Sequence, residues 1–368
     1  MIYLDYNATA PLRPEAKDAM ASALEIVGNP SSPHRFGRDA RALIEDAREA
    51  VAKAVGALPE QILFTSGGTE ANAMALKGAS PQNWLVGSDA HPSLAFLFDE
   101  RANRLPIDAD GRIDHSDIER IVQSNAGRVT HLALVWANNE TGVIHPIRDL
   151  ANLATELGLT MHIDGVQWLG KGATDFAELG AMSLSISAHK IGGPAGVGAL
   201  ILKDVNAMPP IFAGGGQERR RRGGTENLLG IVGFGAAVKA LGSIDEEASR
   251  LQRLKTRLEA ELESMGARIV AQSSPRLANT TMVITPGMPS QLQLMKLDLA
   301  GIACSAGSAC SSGKVEGSAV LSAMGFPGEE ARRALRISMG RETTEGEIDT
   351  FLFTYRDMLN RAGAQSVA

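Results

Sequence analysis

The residue with the clearest capacity for covalent chemistry is Lys190, in the segment Ser185–Pro194 (SISAHKIGGP). It follows a β-rich run and precedes Gly-Gly-Pro, so it is held at a sheet edge rather than free on a helix. A lysine so placed forms a Schiff base when desolvation or neighbouring cations ease loss of its proton. Most lysines are solvated loop residues; the flanking sequence argues against that here. His189 beside it and Ser187 two residues earlier are spaced to touch a phosphate or a ring. Asp164 ends another strand-like run, Met161–Gln167 (MHIDGVQ). Such a carboxylate either caps a turn or pairs with a protonated ring nitrogen, as a pyridoxal ring needs in order to store electrons. On the second reading, Gln167 reaches the ring hydroxyl.

Three further segments carry candidate chemistry. In Thr65–Glu70 (TSGGTE), Gly67 and Gly68 let the backbone approach an anion, and Thr69 opens a helix whose free N–H groups attract phosphate. A plain helix cap is the equal alternative. In Gly301–Gly313 (GIACSAGSACSSG), Cys310 stands among small residues, where a thiol can travel to a substrate and be deprotonated there. Cys304 follows Gly-Ile-Ala at what reads as a strand end, and its expected role is that of a small buried hydrophobe. In Ala334–Gly340 (ALRISMG), Arg336 sits between apolar neighbours and needs an anionic partner. That partner is a substrate carboxylate held by two parallel bonds, or a structural salt bridge.

The elements around these residues predict one architecture for most of the chain. Strands are expected over Gln61–Ser66, Trp84–Gly87, Val129–Ala137, Thr160–Asp164, Ser183–Ser187 and Val197–Lys203. Between and around them, helices are expected over Arg38–Val55, Thr69–Lys77, Ile147–Gly158 and Glu226–Leu241. Alternation of this kind implies an α/β fold with a mostly parallel sheet covered on both faces. Ligands on such sheets bind at the carboxyl ends of the strands, which is where the candidate residues fall. From Asp245 the pattern changes. Leu251, Leu254, Leu258 and Leu262 form one apolar stripe on a charged helix. Strand-like Arg268–Ala271 and Thr280–Thr285 follow, then a helix near Leu292–Leu299 and the cysteine segment. A final helix opens with a capping box of Thr344 and Glu347 and runs to about Arg361. The expected division is a large domain over residues 15–245 and a smaller α+β domain from residues 1–14 and 246–368.

Composition limits the function. The 368 residues are 44% hydrophobic and 21% charged with a formal net charge of -6, which suits a globular protein with a large core. An acidic balance with 4% aromatics argues against direct nucleic-acid binding. No stretch approaches the roughly 18 apolar residues of a membrane span, and the N-terminal stretch lacks the pattern of a signal peptide. Two cysteines make no disulfide framework, so a cytoplasmic, reducing setting is expected, with reactive rather than structural thiols.

Taken together, these segments resemble the cysteine desulfurases of the NifS-like type, a branch of the fold-type I, class V aminotransferase-like pyridoxal enzymes. The likeness runs in order through Tyr3–Thr9 (YLDYNAT), Gly28–Ser32 (GNPSS), His34–Gly37 (HRFG), Phe64–Asn72, Asn138–Gly142 (NNETG), the lysine segment, Gly214–Asn227, the Cys310 loop and Arg336–Asp349. It implies a seven-stranded, mostly parallel sheet with helices on both faces and a smaller α+β domain. It also implies pyridoxal 5'-phosphate as cofactor, joined to Lys190, which removes the substrate α-proton once displaced. By the same resemblance Asp164 pairs with the ring nitrogen, Gln167 with the ring oxygen, and His91 stacks on the ring and moves protons. Gly68, Thr69, Ser187 and His189 hold the phosphate, and Thr225 is lent by the neighbouring subunit of a homodimer. Asn139, also beside the cofactor, and Arg336 bind the carboxylate of L-cysteine; Cys310 takes the sulfur as a persulfide and alanine leaves. An iron–sulfur scaffold is the expected kind of acceptor. Arg220 and Arg221, within the basic run Glu218–Arg222, depart from the family pattern, as does Cys304; a solvated face or a partner-protein patch would account for the arginines.

Other readings have less behind them. A selenocysteine lyase or an aminotransferase on the same fold would need no Cys310 thiol in this role, and a silent scaffold would need no cofactor. A metal hydrolase built on His162 and Asp164 lacks any HExxH or paired-cysteine spacing.

Overall fold

The computed structural model describes residues 1–77, 81–95, 103–125, 127–307 and 317–365. A seven-stranded sheet runs, in spatial order, through Ile62–Thr65, Gly198–Leu202, Ser183–Ser187, Thr160–Asp164, His131–Val135, Trp84–Gly87 and Asn103–Leu105. Gly198–Leu202 pairs antiparallel with both its neighbours, and every other pairing is parallel. Six strands therefore point one way, and their carboxyl ends share one edge.

The strands read as near-continuous apolar runs because both faces are buried. Ile62, Phe64, Leu132 and Leu134 belong to one apolar cluster. Leu63 points into a second cluster, and Ala133 and Val135 into a third, on the opposite side. Helices Arg35–Val55, Ile147–Glu156 and Leu228–Lys239 contribute to the first. Helix Gly68–Leu76 covers the other face. Expected strand positions hold to within one or two residues, and the polar edge strand Asn103–Leu105 adds to them.

A second sheet is antiparallel throughout, in the order Ser305–Ala306, Ala334–Ser338, Thr280–Ile284, Arg268–Ile269. The last strand is shorter than its sequence suggests, because Ala271 takes a left-handed φ of 54° that ends the extended run. The leucine stripe lies buried on helix Ile244–Ser264 against this sheet. The final helix, Glu345–Gln365, carries the expected capping box: Thr344 N–H donates to Glu347 Oε2 (2.9 Å) and Glu347 N–H donates to Thr344 Oγ1 (3.3 Å). At the start of the chain, Ile2–Tyr3 pairs parallel with Ile302–Ala303. This pairing carries the next residues, Asp5 to Thr9, over the carboxyl edge of the large sheet. No single described helix is long and apolar enough to cross a membrane.

Candidate active site

The carboxyl edge gathers side chains that lie far apart in sequence. Lys190 follows strand Ser183–Ser187, and its Nζ donates to the carbonyls of Asn7 (2.7 Å) and Ala8 (2.8 Å). Asp164 ends the neighbouring strand and is nearly buried. Its oxygens accept from Asn72 Nδ2 (2.8 Å) and the Val166 N–H (3.0 Å). His91, after strand Trp84–Gly87, feels both of them. Burial lowers its pKa most, the Asp164 charge raises it and the Lys190 charge lowers it, for a net decrease. Its Nδ1 accepts from the Ser93 N–H (3.1 Å) and meets Ser93 Oγ at 2.8 Å. Lys190, Asp164 and His91 thus share one electrostatic neighbourhood.

Behind Asp164 stands a buried polar chain. Asn72 donates to Asp164 and to Ser93 Oγ (2.8 Å), while its oxygen accepts from Ser185 Oγ (2.5 Å) and His162 Nε2 (3.0 Å). His162 Nδ1 in turn meets Ser183 Oγ at 2.8 Å. Burial pushes the His162 imidazole down to about 3, so it is neutral and serves as a structural donor. Among the described residues, no group of three or more potential ligands is arranged to hold a metal.

Gly68 begins helix Gly68–Leu76, whose N-cap, Gly67, has a φ of 156° and supplies no side-chain cap. A Cβ at position 68 would lie 2.5 Å from Val166 Cγ2 and 3.8 Å from Ser187 Cβ, so glycine keeps this turn open toward the Lys190 strand. Thr69 is exposed in the first turn and Ser187 is buried beneath it. His189 Nδ1 meets Thr9 Oγ1 at 3.2 Å; burial, then the Lys190 charge, pushes its pKa down to about 4. Thr225 lies exposed before helix Leu228–Lys239, with no hydrogen bond to the cluster among the described residues.

Arg336 is buried in the second sheet and reaches the same edge. It donates to the Asn139 carbonyl (3.0 Å) and pairs with Asp5 (2.7 Å), so a salt bridge is present here; its Nε is buried without a partner among the described residues. Gln167 is engaged as well: its Nε2 donates to the Asn7 carbonyl (2.9 Å) and its Oε1 accepts from Lys171 Nζ (2.7 Å). Cys304 is half-buried against the second sheet's core, and burial followed by the Asp5 charge pushes its thiol up to about 12. At neutral pH it is not a thiolate. Cys310 lies outside the described residues.

The class-V aminotransferase family model matches residues 2–351. The chain is 39% identical to the cysteine desulfurase IscS of Dictyoglomus turgidum, covering 98% of this chain and 94% of that protein. It is 42% identical to a cysteine desulfurase of Cereibacter sphaeroides, over 95% and 94% of the two chains. A solved structure of a NifS-like protein from Rickettsia africae superposes with a TM-score of 0.90 at 31% identity, covering 98% of this chain and 99% of that one. The chain belongs to the class-V aminotransferase family, among its NifS-like cysteine desulfurases. For this cysteine desulfurase family member, local sequence pointed to the lysine, the aspartate and the glycine turn. It did not point to Asn7, Asn72 or Lys171, although Asn7 and Asn72 lie within segments that resemble the family. Their partners stand in distant segments, and an asparagine or a lysine alone carries no signature of such bonds.

Proposed function

We propose that this chain is a pyridoxal-phosphate enzyme that converts L-cysteine to L-alanine and receives the sulfur on Cys310 as a persulfide. The observation that carries the reading is the meeting of Lys190, Asp164 and His91 at one sheet edge, in a chain similar to cysteine desulfurases over nearly its whole length. The donor set suits the cofactor. Asp164 is a buried carboxylate whose hydrogen-bond donors are neutral, which leaves its charge for a cationic ring nitrogen. The uncapped N-terminus at Gly68 offers backbone N–H groups to a phosphate.

Pyridoxal phosphate, when bound, supplies an electron sink that loosens the α-proton and then the β-carbon–sulfur bond. Lys190 would anchor it and, once free, hold the α-proton at its Nζ. Asp164 and Gln167 would orient the ring and His91 would lie over it. Gly68, Thr69, Ser187 and His189 would hold the phosphate, with Thr225 of a second copy completing the cradle in a homodimer. Asn139 and Arg336 would bind the substrate carboxylate, which suits a guanidinium already held at this edge by Asp5 and the Asn139 carbonyl. The Cys310 thiolate attacks the substrate sulfur: a sulfur–sulfur bond forms, the carbon–sulfur bond breaks, and its electron pair stays with the carbon that becomes the alanine methyl. Residues 15–245 would form the cofactor domain, with 1–14 and 246–368 as the smaller one. The acceptor in this reading is an iron–sulfur scaffold protein in the cytoplasm.

The test is alanine release and persulfide formation from cysteine by the protein loaded with pyridoxal phosphate. Cys310→Ala is expected to abolish the persulfide and cut turnover at least about 100-fold, the scale for loss of a nucleophile. Undiminished alanine release by that variant would overturn the reading.

A further inference from the structure

Lys171, seven residues beyond Asp164, is tied to the same site as Lys190. Its ammonium donates to Asn7 Oδ1 (3.1 Å) and Gln167 Oε1 (2.7 Å), both neutral amide oxygens. Asn7 is 1% exposed and every polar atom it has is used. Its N–H donates to Ser338 Oγ (3.0 Å), and its amide nitrogen to the Asn139 carbonyl (3.1 Å) and Thr280 Oγ1 (2.9 Å). Its Oδ1 also accepts from Asn279 (3.1 Å). Its carbonyl takes bonds from both Gln167 Nε2 (2.9 Å) and Lys190 Nζ (2.7 Å). Two lysines therefore hang on one immobilised asparagine.

The charges around the pair single out Lys171. His91 and His189 also lie within electrostatic reach of Lys190, and Asp164 reaches it by way of His91. Lys171 feels Lys190 and Arg336. A cavity of about 510 Å³ borders both Lys171 and Lys190, and its walls include Arg13, Glu246, Glu247, Arg250 and Arg341. Arg336 is matched by Asp5, Arg250 by Glu247 and Arg341 by Glu342, and Arg13 donates to the Ile191 and Ala240 carbonyls. Among the described residues, the hydrogen-bond partners of Lys171 are the two amide oxygens and include no carboxylate. Burial first, then the Lys190 and Arg336 charges, bring it down to about 7, so its charge changes within the neutral range. Coulomb repulsion is reciprocal: a charge on Lys171 disfavours a second one on Lys190.

We propose that Lys171 is a positioning residue for Lys190: it braces Gln167 and Asn7, and its charge favours the neutral Lys190 amine, the form able to bond a carbonyl carbon or accept a proton. The inference rests on the assignment of Lys190 as the reactive lysine. Its test reads Lys190 directly. The full-length protein, freed of bound carbonyl compounds with hydroxylamine, is trace-labelled with acetic anhydride across the pH range, and acetyl-Lys190 is quantified by peptide mass spectrometry. K171M removes charge and donor, K171Q keeps a donor without charge, and K171R keeps the charge. At pH 7, K171M and K171Q should lower Lys190 labelling at least about threefold, equivalent to about half a unit upward on the pH axis, while K171R, charged throughout, labels Lys190 at least as readily as the unmodified chain. Three variants that all label like the unmodified protein would overturn the proposal, as would rescue by K171Q alone, which would reduce the role to a hydrogen bond. Should K171M fail to fold, K171Q against K171R still decides. The labelling is readable whether or not the chain turns over cysteine, so failure of the desulfurase reading shows separately, as absence of alanine release.

Discussion

Asn72 organises the ring-nitrogen end of the site without any reactive group of its own: two donors and one doubly used acceptor hold Asp164, Ser93, Ser185 and His162 at once. His162 is the titratable end of that chain, and it makes the network's state measurable. In the unfolded chain an imidazole takes up a proton below about pH 6.5. In the folded protein burial delays this to about 3. Between those values the unfolded state binds the extra proton, so His162 costs stability as pH falls through the window, by up to about 1.4 kcal/mol per pH unit. His162→Gln keeps a donor for Asn72 and removes the titration. Its urea-unfolding free energy relative to the unmodified chain should therefore improve steadily from pH 7 to pH 5; a difference that stays flat would mean His162 takes up its proton in the fold at the same pH as in the unfolded chain. At this scale Lys190 and Asp164, which the structure brings to one edge, could be singled out in sequence because their chemistry is written in one side chain and its immediate neighbours; Cys310 lies outside the described residues. Asn72 was not, since its carboxylate partner is 92 residues away. Arg336 left two readings open in sequence, and the salt bridge to Asp5 is the one the structure contains.

Elements set these residues in place through a few buried ion pairs, and the run Glu218–Arg222 is the instructive case. Its basic character invites reading as one surface patch, yet the structure divides it. Glu218 is drawn inward by Arg48 on helix Arg35–Val55 (2.9 and 3.0 Å) and accepts the Phe64 N–H (2.8 Å) from the strand before the glycine turn. Arg222 grips Glu70 on the helix after that turn (2.8 and 3.2 Å), and Glu70 accepts the Ser66 N–H (2.5 Å). Anchoring at both ends forces Glu218, Arg219 and Arg220 into left-handed backbone, with φ of 39°, 56° and 63°. Arg219 and Arg220 are left exposed. Two stability changes of opposite sign follow. Glu218→Ala breaks the buried pair with Arg48, leaving it the half-buried Glu45, and removes the acceptor of the Phe64 N–H, so it should cost about 3 kcal/mol, whereas Arg220→Gly relieves a left-handed residue and should gain about 1 kcal/mol. Urea unfolding measures both, and equal small effects would show that the turn is neither anchored nor strained. The long elements were legible for simple reasons: strands buried on both faces are continuous apolar runs, and helix ends carry caps such as Thr344 and Gly56. The strand end before Cys304 was readable and corresponds to Ile302–Ala303, but the two-residue strand Ser305–Ala306 was not, because it exists only through pairing with Ala334–Ser338.

At the scale of the whole molecule, the proposed cofactor cradle draws on five of the six strand ends at the carboxyl edge, all but that of Asn103–Leu105, and leaves Thr225 out. That residue is exposed, as are the neighbouring Gly214, Gly215 and Gly216, and Phe212 is 50% exposed. Leu24, Val27 and Phe36, at 66%, 74% and 62% exposure, flank the two helices that pack on Leu228–Lys239 just after Thr225. Large apolar side chains left in water beside a polar residue lacking a site of its own are what a symmetric interface leaves behind when one copy is viewed alone. A homodimer in which Thr225 serves the other copy's phosphate can be tested by complementation. Lys190→Ala removes the reactive lysine, and Thr225→Glu sets a negative charge against the phosphate of the neighbouring site. Each variant alone should be inactive. Refolded together in equal amounts, half of the dimers are hybrids, and each hybrid holds one site with an intact Lys190 and an intact Thr225, so about a quarter of the unmodified activity should return. If Thr225 instead acts on its own chain, no hybrid contains an intact site under Lys190→Ala or Thr225→Glu, and the mixture stays as inactive as its parts.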